Sequence, residues 1–380
     1  MDLNRLETPA AVIDIARMER NIALMQSRMD ALGVSFRPHV KTSKCIEVAR
    51  AQIAAGASGI TVSTLKEAEQ FFQAGVDDIL YAVTIDPAKL PRALALIRQG
   101  CGLKLVVDNP GAAAALASFG REHGQTFEVL IEVDTDGHRS GIGPEQDLLL
   151  EVASILHRGG ALVAGVMTHA GSSYELNTPQ ALAALAEQER AGCVRAAQRI
   201  RAAGIACEIV SVGSTPTALA ATRLEGVTEV RAGVYVFFDL VMHNVGVCRI
   251  DDIALSVLTT VIGHQPEKGW AIVDAGWMAM SRDRGTGKQA HDFGYGLPCT
   301  LDGKPLTGYV LSGANQEHGI LSSVHPEALN QGEHIATRFP IGTRLLILPN
   351  HACATGAQYP QYHAVSTDNE LTEWERFHGW

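Results

Sequence analysis

The chain has 380 residues, of which 46% are hydrophobic and 19% charged, and its formal net charge at pH 7 is −10. This composition is typical of a soluble globular enzyme, and the length allows two domains with separate cores. The negative charge, without a dense basic cluster, argues against a nucleic-acid or anionic-membrane partner. Seven scattered cysteines without a CxxC pair, and the lack of a signal-peptide-like or bilayer-spanning apolar segment, predict a cytoplasmic protein without a disulfide framework.

Short β-branched segments alternate with helix-forming segments rich in Ala, Leu, Glu and Arg from about residue 34 to residue 235. The alternation predicts eight strands, near residues 34–40, 58–62, 78–83, 103–107, 127–133, 161–168, 207–212 and 228–234. Helices are predicted between the strands, for example over residues 64–74 and 179–203. Four prolines are predicted to open helices: Pro87, Pro110, Pro144 and Pro179.

Eight strands with interposed helices predict an α/β fold, a closed (β/α)₈ barrel of the TIM type, over residues 1–245. An open doubly wound sheet is the alternative. That fold would require a glycine-rich fingerprint after the first strand, where this chain has a Lys-Thr-Ser sequence at residues 41–43. The barrel is therefore favoured.

A second domain is predicted over residues 246–380, because helical segments stop after about residue 245. It is expected to be an antiparallel β-domain, from β-like segments at residues 253–261, 270–274 and 344–348. Residues 281–300 are predicted to form a long functional loop. The strand-like segment 10–14 is compatible with either domain.

Lys41 ends the first predicted strand, and His39 lies two residues earlier on the same face of that strand. The C-terminal ends of barrel strands are where catalytic groups are found. A lysine amine there can form a Schiff base with an aldehyde cofactor once burial or a cationic neighbour makes it nucleophilic. A solvated strand end without function is the alternative for any single lysine.

The turns after the seventh and eighth strands predict an anion site. Gly213, Ser214 and Thr215 are expected to supply exposed backbone amides and two hydroxyls, and Gly233 allows the chain to approach an anion closely. A turn without function is again the alternative. Together with Lys41, these turns predict pyridoxal 5'-phosphate (PLP), with its aldehyde on the lysine and its phosphate at the two turns.

Three motifs resemble those of fold-type III PLP enzymes, which have an alanine racemase-like barrel and a β-domain. The motifs are PHVKTSK at residues 38–44, THAG at residues 168–171 and RAGVY at residues 231–235. Within that class, essentially the whole chain resembles the D-serine dehydratase and D-threonine aldolase family, and most of all its bacterial hydroxyaspartate dehydratases. The resemblance implies a homodimer in which one subunit's β-domain covers the other's barrel mouth.

The resemblance also implies roles for individual residues. It makes Lys41 the Schiff-base lysine, Arg139 a ligand of the cofactor's phenolic oxygen, and Arg231 a neighbour of the pyridine nitrogen. The other implied cofactor-binding residues are His39, His169, Tyr174, Gly213, Ser214, Thr215, Gly233 and Tyr235. The chain departs from the family at Ser43 and Ser172, where histidine is common, and these departures bear on substrate specificity.

His351 and Cys353 form a candidate metal pair, since two residues at i and i+2 of an extended segment face the same way. Imidazole and thiolate together suit Zn²⁺, although a strand cysteine is usually a small core hydrophobe. The pair resembles the metal site of D-serine dehydratases, whereas the aldolases tend to carry His-x-Asp. A divalent ion there, Zn²⁺, Mn²⁺, Co²⁺ or Mg²⁺, would act as a Lewis acid on a substrate β-hydroxyl.

The function that the resemblance implies is a PLP- and metal-dependent dehydratase of D-3-hydroxy amino acids. D-threo-3-hydroxyaspartate and D-serine are both candidate substrates. The second carboxylate of hydroxyaspartate requires a cation, and the loop at residues 281–300 offers Arg282, Arg284, Lys288 and His291. A D-threonine aldolase is the nearest alternative, followed by an amino-acid racemase, a non-catalytic PLP carrier and a metal-storing protein.

Overall fold

The computed structural model describes residues 3–324, 331–368 and 370–380. The chain divides into two compact units. The barrel unit comprises Ala23–Gly233 with Gly379–Trp380, and the sheet unit comprises the residues up to Ile22 with Val234–His378. Strands and helices are numbered in chain order, and the first are β1 (Ala10–Asp14) and α1 (Ile15–Ala31). In the described ranges, no helix has the length and apolarity needed to cross a membrane, and all seven cysteines are free thiols.

The barrel unit is built on a parallel sheet in which eight described strands follow the order β2-β9-β8-β7-β6-β5-β4-β3. Each predicted strand overlaps one of them. Their bounds are β2 Ser35–Phe36, β3 Ile60–Val62, β4 Asp78–Thr84, β5 Gly102–Val107, β6 Glu128–Val133, β7 Leu162–Thr168, β8 Ile209–Val212 and β9 Glu229–Val230.

The sheet closes into a barrel between β2 and β3. A parallel bridge pairs His39 with Thr61, and the Val40 amide donates to the Thr61 carbonyl oxygen at 2.9 Å. On its other side the same segment is bonded through the His39 amide to the Ala232 carbonyl oxygen at 2.8 Å. The predicted closed barrel is therefore confirmed, and the segment leading to Lys41 is held between two neighbouring strands.

Helices follow most of the barrel strands. They are α2 Ile46–Ala54, α3 Leu65–Gln73, α4 Leu90–Arg98, α5 Pro110–His123, α6 Leu148–Arg158, α7 Pro179–Ala202 and α8 Thr215–Ala220. Side-chain caps start several of them; Asn109, for example, accepts from the Ala112 amide at 2.8 Å. Pro110 and Pro179 occupy first turns as predicted, whereas Pro87 opens a short 3₁₀ turn. The prediction for Pro144 is wrong, because it lies in a turn and α6 begins four residues later.

The sheet unit contains a mainly antiparallel sheet with the order β13-β14-β11-β10-β1-β16-β17 among its described strands. In addition, β15 pairs with β10, and β12 pairs with β15. The new strands are β10 Leu255–Gln265, β11 Trp270–Val273, β12 Leu297–Cys299, β13 Tyr309–Ala314, β14 Gly319–Ser323, β15 Arg344–Leu348, β16 Gln361–Val365 and β17 Leu371–Glu375. The segment 10–14 is β1, which pairs with β10 and β16, so it joins this sheet rather than the barrel.

The expectation that helices stop after residue 245 is wrong. The sheet unit contains α9 Leu240–Val245, α10 Trp277–Met280, α11 Gln331–Arg338 and α12 Ala352–Gly356. The last three follow residue 245 and have at most eight residues, too few for a periodic pattern to stand out. Helices this short depend on tertiary packing more than on propensity. Residues 281–300 likewise contain a 3₁₀ turn and β12 rather than one continuous loop.

Candidate active site

Lys41 lies in a tight turn just beyond His39, whose bridge to Thr61 follows the first barrel strand. The Lys44 amide donates to the Val40 carbonyl oxygen at 2.7 Å, which closes the turn. Lys44 has a φ of +46°, a left-handed conformation that is uncommon outside glycine. Its ammonium group pairs at 3.1 Å with the buried Glu67. The ion pair between Lys44 and Glu67 therefore holds the C-terminal end of the turn that carries Lys41.

Two partly exposed histidines lie close enough to Lys41 for its charge to affect their pKa values. Burial, and then the charge of Lys41, lower the pKa of His39 well below its ordinary value. The same two causes lower the pKa of His169 to about 3. His169 Nδ1 also donates to the Gly213 carbonyl oxygen at 3.0 Å. Both rings are therefore neutral at physiological pH, when each can donate at one nitrogen and accept at the other.

Arg231 is buried inside the barrel, with 4% of its surface exposed. It donates to Ser211 Oγ at 2.8 Å and to the Thr168 carbonyl oxygen. Its charge also contributes to the lowered pKa of His39 and of His169. The structure therefore brings Arg231, His39, His169 and Lys41 into one electrostatic cluster at the strand ends.

Arg139 and Tyr174 lie on the turns after β6 and β7. Arg139 is half-exposed and lies 3.6 Å from the Glu132 carboxylate, whose pKa is raised by burial in spite of that arginine. The Tyr174 ring centroid lies 6.4 Å from that of His169. The charge of Arg139 also contributes to the lowered pKa of His169, so both predicted residues border the cluster around Lys41.

In the predicted phosphate turn, two backbone amides that were expected to be exposed are already hydrogen-bonded within the protein. The Gly213 amide donates to Glu189 Oε1 at 3.0 Å, and the Ser214 amide donates to Thr217 Oγ1 at 3.0 Å. The prediction that these two amides are exposed is wrong, because Ser214 forms the capping box of α8 and Glu189 lies fully buried beneath the turn. Thr215 is also buried, as the first residue of α8.

Gly233 fits the predicted anion site better than Gly213 and Ser214 do. Among the described residues, no partner accepts a hydrogen bond from its amide. A Cβ added there would lie 3.0 Å from the His39 carbonyl oxygen and 3.2 Å from Thr42 Oγ1, so only glycine leaves the space open. An amine, neutral imidazoles, hydroxyls and an unpartnered amide at one end of a barrel form a donor set that fits PLP.

His351 and Cys353 belong to the sheet unit, as does the buried Tyr235. The expectation of one extended segment is wrong, because His351 is the extended N-cap of α12 and Cys353 lies inside that helix. The two side chains are nevertheless hydrogen-bonded. Burial lowers the pKa of His351, but the Cys353 thiolate and the Asp283 carboxylate outweigh burial and raise it.

The donor chemistry of this pair fits a divalent cation, since imidazole and thiolate are a borderline-soft set. His351 Nδ1 donates to Asp283 Oδ2 at 2.6 Å. Within the described ranges, no group of three or more His, Cys, Asp or Glu side chains could hold a metal ion. A cation on this pair would therefore take its other ligands from water or substrate.

Sequence reasoning missed three residues that organise these sites: Glu67, Glu189 and Asp283. Only Glu67 had a visible signal, because Thr64-x-x-Glu67 is a capping-box sequence. Glu189 lies within a long helix and Asp283 in a polar loop, and each meets its partner only through the fold.

Comparison with known proteins covers both units. Residues 13–241 match the family model of the alanine racemase N-terminal domain, and residues 254–365 match that of a putative serine dehydratase domain. The chain is 68% identical to D-threo-3-hydroxyaspartate dehydratase of Delftia sp. (strain HT23), with 99% of this chain and 98% of the relative covered. It is 29% identical to D-serine dehydratase of Dictyostelium discoideum, with 97% and 96% covered.

Among solved structures, the C353A mutant of D-threo-3-hydroxyaspartate dehydratase in the metal-free form matches with a TM-score of 0.98 and 67% identity. The match covers 100% of this chain and 100% of that chain.

Proposed function

The chain belongs to the D-serine dehydratase and D-threonine aldolase family of alanine racemase-like proteins, and we propose that it is a PLP- and divalent-metal-dependent dehydratase of D-3-hydroxy amino acids. Its main substrate is D-threo-3-hydroxyaspartate, which it converts to oxaloacetate and ammonia, and it converts D-serine to pyruvate and ammonia. The observation that carries this proposal is the high identity, over nearly the whole chain, to a D-threo-3-hydroxyaspartate dehydratase.

Lys41 holds the cofactor covalently in this proposal. PLP, when bound, withdraws electrons from the substrate Cα and so lowers the barrier to loss of its proton. Once the substrate amine has displaced it from the cofactor, the free amine of Lys41 would take that proton, as a general base. The neutral His39 and His169 flank it and add no positive charge, while Gly233 offers its amide to the phosphate.

His351 and Cys353 hold the divalent cation. A cation there would polarise the substrate β-hydroxyl as a Lewis acid and ease the departure of hydroxide, which is a poor leaving group. Two observations support the pair: its side chains are in contact in the structure, and a relative has been solved as a C353A mutant in the metal-free form, with the same residue type at position 353 of this chain.

The alternative is D-threonine aldolase chemistry, in which the hydroxyl proton is removed and Cα–Cβ is cleaved to give glycine and an aldehyde. The chain's His-x-Cys pair favours the dehydratase, since the aldolases tend to carry His-x-Asp. The products separate the two reactions directly.

The test incubates the purified protein with D-threo-3-hydroxyaspartate, D-serine and D-threonine, with and without EDTA, and quantifies 2-oxo acid, ammonia and glycine. We expect oxaloacetate and ammonia from hydroxyaspartate, lost on chelation and restored by one of Zn²⁺, Mn²⁺, Co²⁺ or Mg²⁺. Cys353→Ala should abolish the EDTA-sensitive turnover, whereas the control Cys248→Ala, at another partly buried free cysteine, should retain it. Glycine as the main product contradicts the proposal.

The family resemblance also supports the proposal of a homodimer, and the seven scattered cysteines without a CxxC pair support that of a cytoplasmic location. Sedimentation of the purified protein tests the first, and fractionation of cells expressing it tests the second.

A further inference from the structure

The carboxylate of Asp283 contacts the histidine of the metal pair. His351 Nδ1 donates to Asp283 Oδ2 at 2.6 Å, and both side chains are partly exposed. A carboxylate that accepts from one ring nitrogen fixes the orientation of an imidazole and leaves the other nitrogen to a ligand. Here Cys353 is the second hydrogen-bond partner of the same ring.

A residue with a strained backbone conformation, Ser281, lies two positions before Asp283 and is hydrogen-bonded to it. Ser281 has a φ of +73° and a ψ of 164°, a conformation that is costly for a residue other than glycine. It persists because its amide donates to the Trp277 carbonyl oxygen at 2.8 Å and its Oγ accepts from the Asp283 amide at 3.1 Å. Such strain is found where the surrounding structure requires one specific geometry.

The segments that carry Asp283 and His351 are bonded to each other at further points. Asn350, next to His351, donates to the Asp283 carbonyl oxygen at 3.3 Å and accepts from the fully buried Thr286 Oγ1 at 3.1 Å. Thr355 Oγ1 donates to the Met280 carbonyl oxygen at 2.7 Å. The carboxylate and the imidazole are therefore held on two segments that are fixed relative to each other.

We infer that Asp283 is a positioning residue of the metal pair, whose carboxylate holds the His351 ring so that its other nitrogen binds the cation together with Cys353. The inference rests on the proposed metal site, and adds to it a residue that binds no metal itself. Removing such a carboxylate lowers metal affinity by about 10- to 100-fold.

The chain offers a matched control on the same loop. Asp292 pairs with Arg284 at 2.9 Å, so Asp292→Ala removes an equal charge from the loop without removing the acceptor of His351 Nδ1. Asp283→Asn keeps an oxygen that can accept from Nδ1 and should restore part of what Asp283→Ala loses.

The experiment measures binding of Mn²⁺ to the PLP-loaded, metal-stripped protein by electron paramagnetic resonance of the free ion. We expect the dissociation constant to rise about 10- to 100-fold in Asp283→Ala, less in Asp283→Asn, and by less than about threefold in Asp292→Ala. Thermal melting identifies any variant that fails to fold.

Equal affinity of Asp283→Ala and the wild type overturns the inference, and so does an equal loss in Asp292→Ala. Failure of Asp283→Asn to bind better than Asp283→Ala also overturns it. The proposed metal site itself is wrong if the wild type binds none of Mn²⁺, Co²⁺ and Zn²⁺. It is also wrong if Cys353→Ala binds these ions as tightly as the wild type does. Either result is distinguishable from the others because it appears in the wild type and Cys353→Ala, without any Asp283 variant.

Discussion

The Gly213 amide donates a 3.0 Å hydrogen bond to the buried carboxylate of Glu189. The same oxygen, Oε1, accepts from the Ala170 amide at 3.0 Å. One carboxylate oxygen on α7 therefore joins the turn after β7 to the turn after β8. Burial raises the pKa of Glu189, although these amide bonds oppose the rise.

Replacing Glu189 should weaken cofactor binding. Glu189→Ala leaves two buried amides without an acceptor, a loss of about 1–3 kcal/mol for each. Because one of these amides lies in the predicted phosphate turn, we expect the PLP dissociation constant to rise at least about 5-fold, the equivalent of about 1 kcal/mol. Glu189→Gln keeps an acceptor oxygen and should bind PLP nearly as the wild type does. Absorbance titration of the apoprotein with PLP measures both. The control is Glu187→Ala on the same helix, whose carboxylate pairs with surface arginines; wild-type affinity in Glu189→Ala contradicts the prediction.

Lys41 should be the residue that carries the cofactor. Borohydride reduction followed by peptide mass spectrometry should find the pyridoxyl group on Lys41, and Lys41→Ala should lose both this adduct and turnover. Lys44→Met is the control, because Lys44 lies in the same turn but its ammonium group is paired with the Glu67 carboxylate. An adduct on Lys44 in the wild type would refute the assignment.

The low pKa of His169 should make the protein's stability depend on pH. The unfolded chain protonates this ring below about pH 6.5, whereas the folded protein does so only near pH 3. Between these values the unfolded state binds one more proton, so the free energy of unfolding falls by about 1.4 kcal/mol for each pH unit of acidification.

His169→Gln should remove that contribution. Urea unfolding of the two apoproteins at pH 4.5, 5.5 and 7.5 should show a shallower decline in the variant. Any difference in slope should vanish above about pH 7.5, where both states are unprotonated. Identical slopes below pH 6 would show that the ring is not held neutral.

Gly165 on β7 should not tolerate a side chain. A Cβ there would overlap the carbonyl oxygen of Ile209 on the neighbouring strand, and forced overpacking costs about 1–3 kcal/mol or more. Gly165→Ala should therefore lower the midpoint of thermal unfolding. Gly111→Ala, at an exposed position in the first turn of α5, should leave it unchanged or raise it, since alanine favours the helix. An unaltered midpoint in Gly165→Ala would mean that the strands separate more easily than the register implies.

Arg282 and Arg284, two of the candidate cations for the second carboxylate of hydroxyaspartate, have different partners in the structure. Arg284 is paired with Asp292 and stacked on Tyr295, whereas Arg282 lies over the Trp277 ring at 4.7 Å and adjoins Asp283. We expect Arg282→Met to lower the ratio of kcat/KM for D-threo-3-hydroxyaspartate to that for D-serine at least about tenfold, the worth of one charged hydrogen bond. The same substitution at Arg284 serves as the control. An unchanged ratio in Arg282→Met assigns the carboxylate to Lys288, to His291 or to a residue outside this loop.

Local sequence determined most of the barrel. The alternation of β-branched and helix-forming segments is a short-range property, so all eight strands and the capped helices α3, α5 and α7 could be located from it. Because barrel strands all end at one rim, the residues after them, including Lys41, His169 and Arg231, could be grouped from their positions along the chain.

Long-range contacts decided the rest, because no local pattern encodes them. Glu189 meets Gly213 across 24 residues, and Asp283 meets His351 across 68. Cys353 contacts His351 from inside a short helix rather than along a strand. The sequence did not predict this helix, because α12 is too short to show a helical periodicity. The sequence alone determined which chemical groups this protein carries, and only the tertiary structure decided which amides, carboxylates and rings those groups bind.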